Sequence, residues 1–170
     1  MTFDPTQENN SLESPISGSF PILEDVFYLG YTQSDPITLF KDEAKKVELT
    51  VQFRTLTPIE HRDIFTAMGK YETYMAQEVT RKLETLSRAV KLINGMPLLL
   101  PNNEIKEFYD KAERNPTPLE QAQIIFKQKI KSPDLLDLMY EAYVEFTEKV
   151  SKEFQDIKKK LKSQKSSESI

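Results

Sequence analysis

The chain has 170 residues, 38% of them hydrophobic and 29% charged, with a formal charge of −4 and a pI near 5.2. That length supports one domain with a core and appended arms. The acidic balance argues against general nucleic-acid binding. The absence of cysteine excludes a disulfide framework and thiolate metal sites and predicts a reducing compartment.

In chain order, residues 1–19 are rich in Ser, Asn, Pro and Glu without periodicity, and read as a disordered arm. They lack the basic and apolar regions of a signal peptide, so the expected location is the cytoplasm of the cell that makes the chain. Residues 20–29 carry Phe20, Ile22, Leu23, Val26, Phe27 and Leu29, more apolar weight than a free arm requires. This segment is expected to pack, on its own domain or on another subunit. Residues 31–46 read as a loop with an extended piece around 37–40.

Strict alternation places Val47, Leu49, Val51 and Phe53 on one face of a strand at 47–54. A helix start follows at once. Thr57 can cap the first turn, Pro58 sits where its missing N–H costs nothing, and Glu60 can reach back. The helix is expected to run to about Lys70, with Ile59, Ile64, Phe65 and Met68 at helical spacing and Gly69 closing it. A second helix is expected from Tyr71 to about Val90. In residues 89–100 the Asn94-Gly95 pair serves either a tight hairpin or a helix C-cap. The hairpin is favoured, paired with the 47–54 strand and with Pro97 on an edge.

Asn103 is expected to cap a helix from Glu104 to about Arg114, and Thr117-Pro118-Leu119-Glu120 to open another reaching Lys131. Although both helix starts read Thr-Pro-x-Glu, no longer self-similarity is assigned to them. Pro133 begins the last helix, running to about Lys162 over some 43 Å at about 1.5 Å per residue. Along it Leu135, Met139, Tyr143, Phe146, Val150, Phe154, Ile157 and Leu161 form one stripe. Before Val150 that stripe suits core and partner surface equally; beyond it, a partner is needed to bury it. Lys158, Lys159, Lys160, Lys162 and Lys165 gather positive charge at this end, fitting either a solvated tail or an acidic partner surface.

Catalytic and metal chemistry finds little support in these residues. His61 is the single histidine, and its Glu60-His61-Arg62-Asp63 context reads as a solvated first helical turn rather than a metal site. Four glycines leave no phosphate-binding loop. No nucleophile elbow accompanies the serines. A helix-turn-helix across residues 117–138 would sit in acidic surroundings. The chain is expected to have no catalytic residue, cofactor or metal.

The stretch Val51-Gln52-Phe53-Arg54-Thr55-Leu56-Thr57-Pro58-Ile59-Glu60 resembles small tail-morphogenesis proteins of tailed bacteriophages. These include tail assembly chaperones and baseplate hub-assembly proteins of contractile-tailed phages. Residues 86–95, ending in Ile93-Asn94-Gly95, resemble the middle of such proteins, and Leu138-Met139-Tyr140-Glu141-Ala142-Tyr143-Val144-Glu145-Phe146 their final helix. The similarity spans residues 20–165. It implies a non-enzymatic role in tail or baseplate assembly, in the host cytoplasm or the virion. The partners would be tape-measure, tail-tube or baseplate hub proteins, with self-association compatible and neither nucleic acid nor membrane involved. Chaperone members keep the tape-measure protein in solution, and some are extended by a programmed frameshift. The alternative is a structural baseplate or tail-tip subunit retained in the virion.

The expected fold is α+β and mostly α, a small antiparallel sheet or hairpin packed by about five helices with a long C-terminal helix. Its divisions are an arm at 1–19, a small α+β domain at 20–131, the long helix at 132–162 and a flexible polar tail at 163–170. The expected partner-binding residues are Phe20, Ile22, Leu23, Val26, Phe27, Leu29, Met139, Tyr143, Phe146, Val150, Phe154, Ile157 and Leu161.

Overall fold

A computed structural model describes residues 30–167. The predicted arm at 1–19, the apolar segment at 20–29 and residues 168–170 lie outside the described residues. Four antiparallel strands form one sheet in the order β1 (Ile37–Asp42), β2 (Val47–Phe53), β3 (Val90–Ile93), β4 (Met96–Pro97). Five α-helices accompany it: α1 (Pro58–Met68), α2 (Tyr74–Ala89), α3 (Asn102–Ala112), α4 (Pro118–Ile124) and α5 (Pro133–Ser167). A π-helical turn, Ile125–Lys129, extends α4. The fold is therefore α+β, mostly helical, with a long C-terminal helix.

The hairpin expected at residues 89–100 is present. Asn94 (φ 50°) and Gly95 (φ 74°) both take the left-handed conformation that a two-residue turn between twisted strands requires. The Asn94 side chain also locks the turn to β2: Oδ1 accepts from Thr50 N–H at 2.7 Å, and Nδ2 donates to the Glu48 carbonyl at 3.0 Å. Pro97 lies on the edge strand β4, where no further ladder bond is asked of it. On β1 the extended piece is longer than expected, because Asp42 Oδ1 accepts from Ala44 and Lys45 N–H and turns the chain directly into β2.

Helix boundaries depart from the sequence reading where capping differs. Helix α2 starts at Tyr74 because Thr73 Oγ1 accepts from Ala76 N–H at 3.3 Å. Helix α3 starts one residue before the expected cap, behind Pro101, with no side-chain cap bond. It ends on Glu113 (φ 56°), a left-handed position filled without glycine. Gly69 does close α1, but with φ −63° rather than in the left-handed form.

The core lies between the sheet, α2 and the first half of α5. Val51 and Phe53 from β2, Leu86 and Ala89 from the end of α2, Val90 from the start of β3, Phe126, and Leu136, Met139 and Tyr143 from α5 form one buried cluster. The Phe53 ring meets Tyr143 edge-on at 5.7 Å and stacks on Phe146 at 6.3 Å. The boundary expected at 131/132 therefore does not separate domain from arm, since the opening turns of α5 are core. Likewise the helix continues through Ser167, past the tail boundary expected at 163.

Removing the Phe53 ring should cost about 3–5 kcal/mol through lost burial and a residual cavity. Urea denaturation of Phe53→Ala measures it. Phe65→Ala, at a side chain left 68% exposed, should stay within about 0.5 kcal/mol of the parent.

Candidate interaction surface

The α5 stripe repeats every eleven residues. Leu135, Phe146 and Ile157 form one series, Met139, Val150 and Leu161 a second, and Tyr143 and Phe154 a third. Eleven residues in three turns is about 3.67 per turn, so on a straight helix the stripe drifts by about 20° per repeat and stays on one side over two repeats. One face thus runs from the core to beyond it, and its exposure climbs along the way. Met139 and Tyr143 are 1% and 5% exposed, Phe146 and Val150 are half-buried, and Phe154, Ile157 and Leu161 reach 37%, 46% and 56%.

This gradient divides the expected partner-binding set. Met139 and Tyr143 are corrected to core: they are sealed within the chain, and burial raises the Tyr143 phenol to about 12. Phe146 packs on that core from its rim. Val150, Phe154, Ile157 and Leu161 form a continuous apolar face beyond it. Phe20, Ile22, Leu23, Val26, Phe27 and Leu29 lie outside the described residues.

Polar contacts set the direction in which α5 leaves the core. Lys82 Nζ meets Asp137 Oδ1 at 2.7 Å, while Arg81 donates to Tyr140 Oη and lies over its ring, 5.0 Å from the centroid. Beside the helix, residues 32–34 are fastened to β2. Ser34 N–H donates to the Phe53 carbonyl at 2.8 Å, Phe53 N–H to Ser34 Oγ at 2.9 Å, and Thr55 N–H to the Thr32 carbonyl at 2.9 Å. Between this segment and α5 runs a groove of about 480 Å³, floored by Ile37, Ala142, Phe146 and Val150.

Sequence reasoning placed apolar residues at helical spacing on α1 and α2 without saying which of them stay exposed. Phe65, Tyr74, Met75 and Val79 are 68%, 77%, 77% and 47% exposed, and Met75 and Val79 line an open groove of about 610 Å³ together with Ala67, Tyr71 and Leu83. The two helices carry more apolar positions than one sheet can cover. Spacing alone cannot say which ones remain outside.

The ionisable clusters hold structure. Arg54 grips Glu60 through both guanidinium ends (2.9 and 2.5 Å), while Glu60 Oε2 accepts from Thr57 N–H. Arg114 grips Glu120 in the same way (2.8 and 2.6 Å), with Glu120 accepting from Thr117 N–H. The shared pattern is thus Arg-x-x-Thr-Pro-x-Glu, longer than the Thr-Pro-x-Glu first assigned. Within each loop the arginine and the N-terminal amide occupy the carboxylate completely. The bond from Arg54 is the chief reason that the Glu60 carboxyl falls to about 2, and Arg114 acts likewise on Glu120.

Glu84, 5% exposed, loses hydration on burial. Nevertheless Arg88 at 2.5 Å, Lys127 at 3.0 Å and Gln123 at 2.9 Å hold its carboxyl below the ordinary range. This buried junction ties α2 to the π-helical turn. His61 stands exposed on the first turn of α1. Among the described residues, no group of three histidines and carboxylates converges to hold a metal ion, and no helix is long and apolar enough to cross a membrane.

Comparison with protein-family models, with curated proteins and with solved structures gave no match.

Because the folded pKa of Glu60 is depressed from 4.5 to about 2, its contribution to stability is full above about pH 4.5 and is lost as pH falls towards 2. Glu60→Gln should therefore lower the urea midpoint at neutral pH, and parent and variant should converge near pH 2.

Proposed function

We propose that the chain is a non-enzymatic assembly protein that holds a helical partner against the distal face of α5. One observation carries this reading: Phe154, Ile157 and Leu161 continue the core-forming stripe at the same angular position, yet nothing within the described residues buries them. Each half-exposed apolar side chain leaves on the order of 1 kcal/mol of burial unrealised. A partner helix with its own apolar seam recovers it. Lys158 and Lys160 flank the seam and favour a partner with acidic margins.

The resemblance to tail-morphogenesis proteins supplies the partner class: tape-measure, tail-tube or baseplate hub proteins, met in the host cytoplasm during assembly. The structural motifs account for two of the resembling stretches without invoking chemistry. The stretch around Arg54 and Glu60 builds a helix start, and the Ile93-Asn94-Gly95 stretch builds the hairpin. A subunit retained in the virion is the alternative, favoured by the second exposed surface at Phe65, Tyr74 and Met75, which gives the molecule two faces for neighbours.

A tagged chain co-expressed with the phage's own tape-measure and hub proteins should retain one of them. Phe154→Asp, Ile157→Asp and Leu161→Asp together should reduce that retention at least about tenfold, equivalent to about 1.4 kcal/mol, while leaving the thermal midpoint within a few degrees. Undiminished retention by the triple variant would exclude the seam. Mass spectrometry of purified particles separates the alternatives: an assembly factor is absent from finished virions, and a structural subunit is present in stoichiometric amount.

A further inference from the structure

The exposed end of α5 is complementary to itself. Val150, Phe154, Ile157 and Leu161 are spaced by four, three and four residues, an order that reads the same from either end. Two copies laid antiparallel about a twofold axis between Gln155 and Asp156 therefore set Val150 against Leu161 and Phe154 against Ile157, each contact made twice. The paired faces run about 16 Å along the helix. Each copy supplies the half-buried Val150 and the exposed Phe154, Ile157 and Leu161.

The charges suit the same pairing. At about 100° per residue, Glu153 and Lys160 lie on one flank of the stripe, about 20° apart. In an antiparallel twofold pair each flank meets its own counterpart, so Glu153 of one copy comes beside Lys160 of the other. Side chains lean toward the N-terminus of their own helix, which here brings carboxylate and ammonium together and carries Lys149 away. Both Glu153 and Lys160 are exposed. Beyond Leu161 the second helix runs toward the groove beside α5 of the first copy. The rim of that groove carries Asp35, Glu145 and Glu153 against Lys149. The helix end that approaches it, residues 158–165, holds five lysines and no acid.

We propose that two copies of the chain pair antiparallel through residues 150–161, a self-association that covers the distal α5 face until a helical partner displaces it. This rests on the reading of that face as a docking surface, and adds what occupies it before the partner arrives. Four apolar side chains from each copy make a small interface, so the dimer is weak and yields to a longer seam. Partner affinity is lowered by the fraction of chains held in the dimer.

Sedimentation equilibrium of the full-length chain, from about 5 µM to about 500 µM, should show the mass rising from 19.7 kDa toward twice that value. Glu153→Lys and Lys160→Glu each set like charges together at both symmetry-related contacts, and each should weaken the dimer about tenfold. Mixed in equal amounts, the two variants regain opposite charges at both contacts, and their heterodimer should return to within about threefold of the parent affinity. A chain that stays monomeric throughout, its α5 face open or covered by another occupant, would overturn the proposal. So would dimers indifferent to both charge changes, or single variants that fail to complement each other on mixing. A monomeric chain whose partner capture is still lost in the Phe154, Ile157 and Leu161 triple variant rejects the self-pairing alone. A dimer that obeys the charge exchange, with capture undiminished in the triple variant, rejects the partner-docking reading alone.

Discussion

The seating of Phe53 between Tyr143 and Phe146 is the contact on which the rest of the molecule depends. It joins the last residue of β2 to the first half of α5, 90 residues on in sequence from Phe53 to Tyr143, with Phe53 and Tyr143 sealed from water and Phe146 at the rim. Leu86 and Ala89 close the same cluster from α2, whose end passes directly into β3. Sheet, hairpin and both long helices therefore share one apolar centre, and the orientation of α5 is set by the residues that enter it.

That orientation has a consequence beyond the core. On a straight helix an eleven-residue stripe drifts by only about 20° per repeat, so it stays on one side over the two or so repeats from Leu135 to Leu161. The face that buries Met139 and Tyr143 is thus the face on which Phe154, Ile157 and Leu161 stand, one more repeat along. The rule that packs the domain also leaves an apolar surface continuing out of it. Folding and the proposed docking share one pattern on one helix.

Much of this was legible in the sequence where the signal was local. The alternation from Val47 to Phe53, the Thr57-Pro58-Ile59-Glu60 start and the Asn94-Gly95 turn each specify backbone geometry within a few residues, and each element stands where it was expected. The misses were tertiary. Glu113 ends α3 in the left-handed region without the glycine that would announce it. The arginine of the Arg-x-x-Thr-Pro-x-Glu clamp acts across six residues of loop, a span no periodicity reports. Phe65, Tyr74 and Met75 stand at helical spacing and yet remain exposed, which spacing alone does not report. On α5, spacing left the part before Val150 open between core and partner surface; the structure buries Met139 and Tyr143 there, while the exposure beyond Val150 follows the expected division.

The energetics of the free half of α5 bear on how firmly it can hold a partner. Residues 151–161 are exposed along the helix, and a helical segment of that length is marginal in water on its own. The ion pair of Asp156 with Lys159, at 3.8 Å and largely exposed, adds only a few tenths of a kcal/mol. Part of the burial free energy gained at Phe154, Ile157 and Leu161 therefore goes into ordering the helix that presents them. The binding proposed at this face would be weakened accordingly, and so readily reversed. Such reversibility suits a protein that holds a helix during assembly and then yields it. A subunit kept permanently in place would need more buried surface, and the face at Phe65, Tyr74, Met75 and Val79 is where that surface is available.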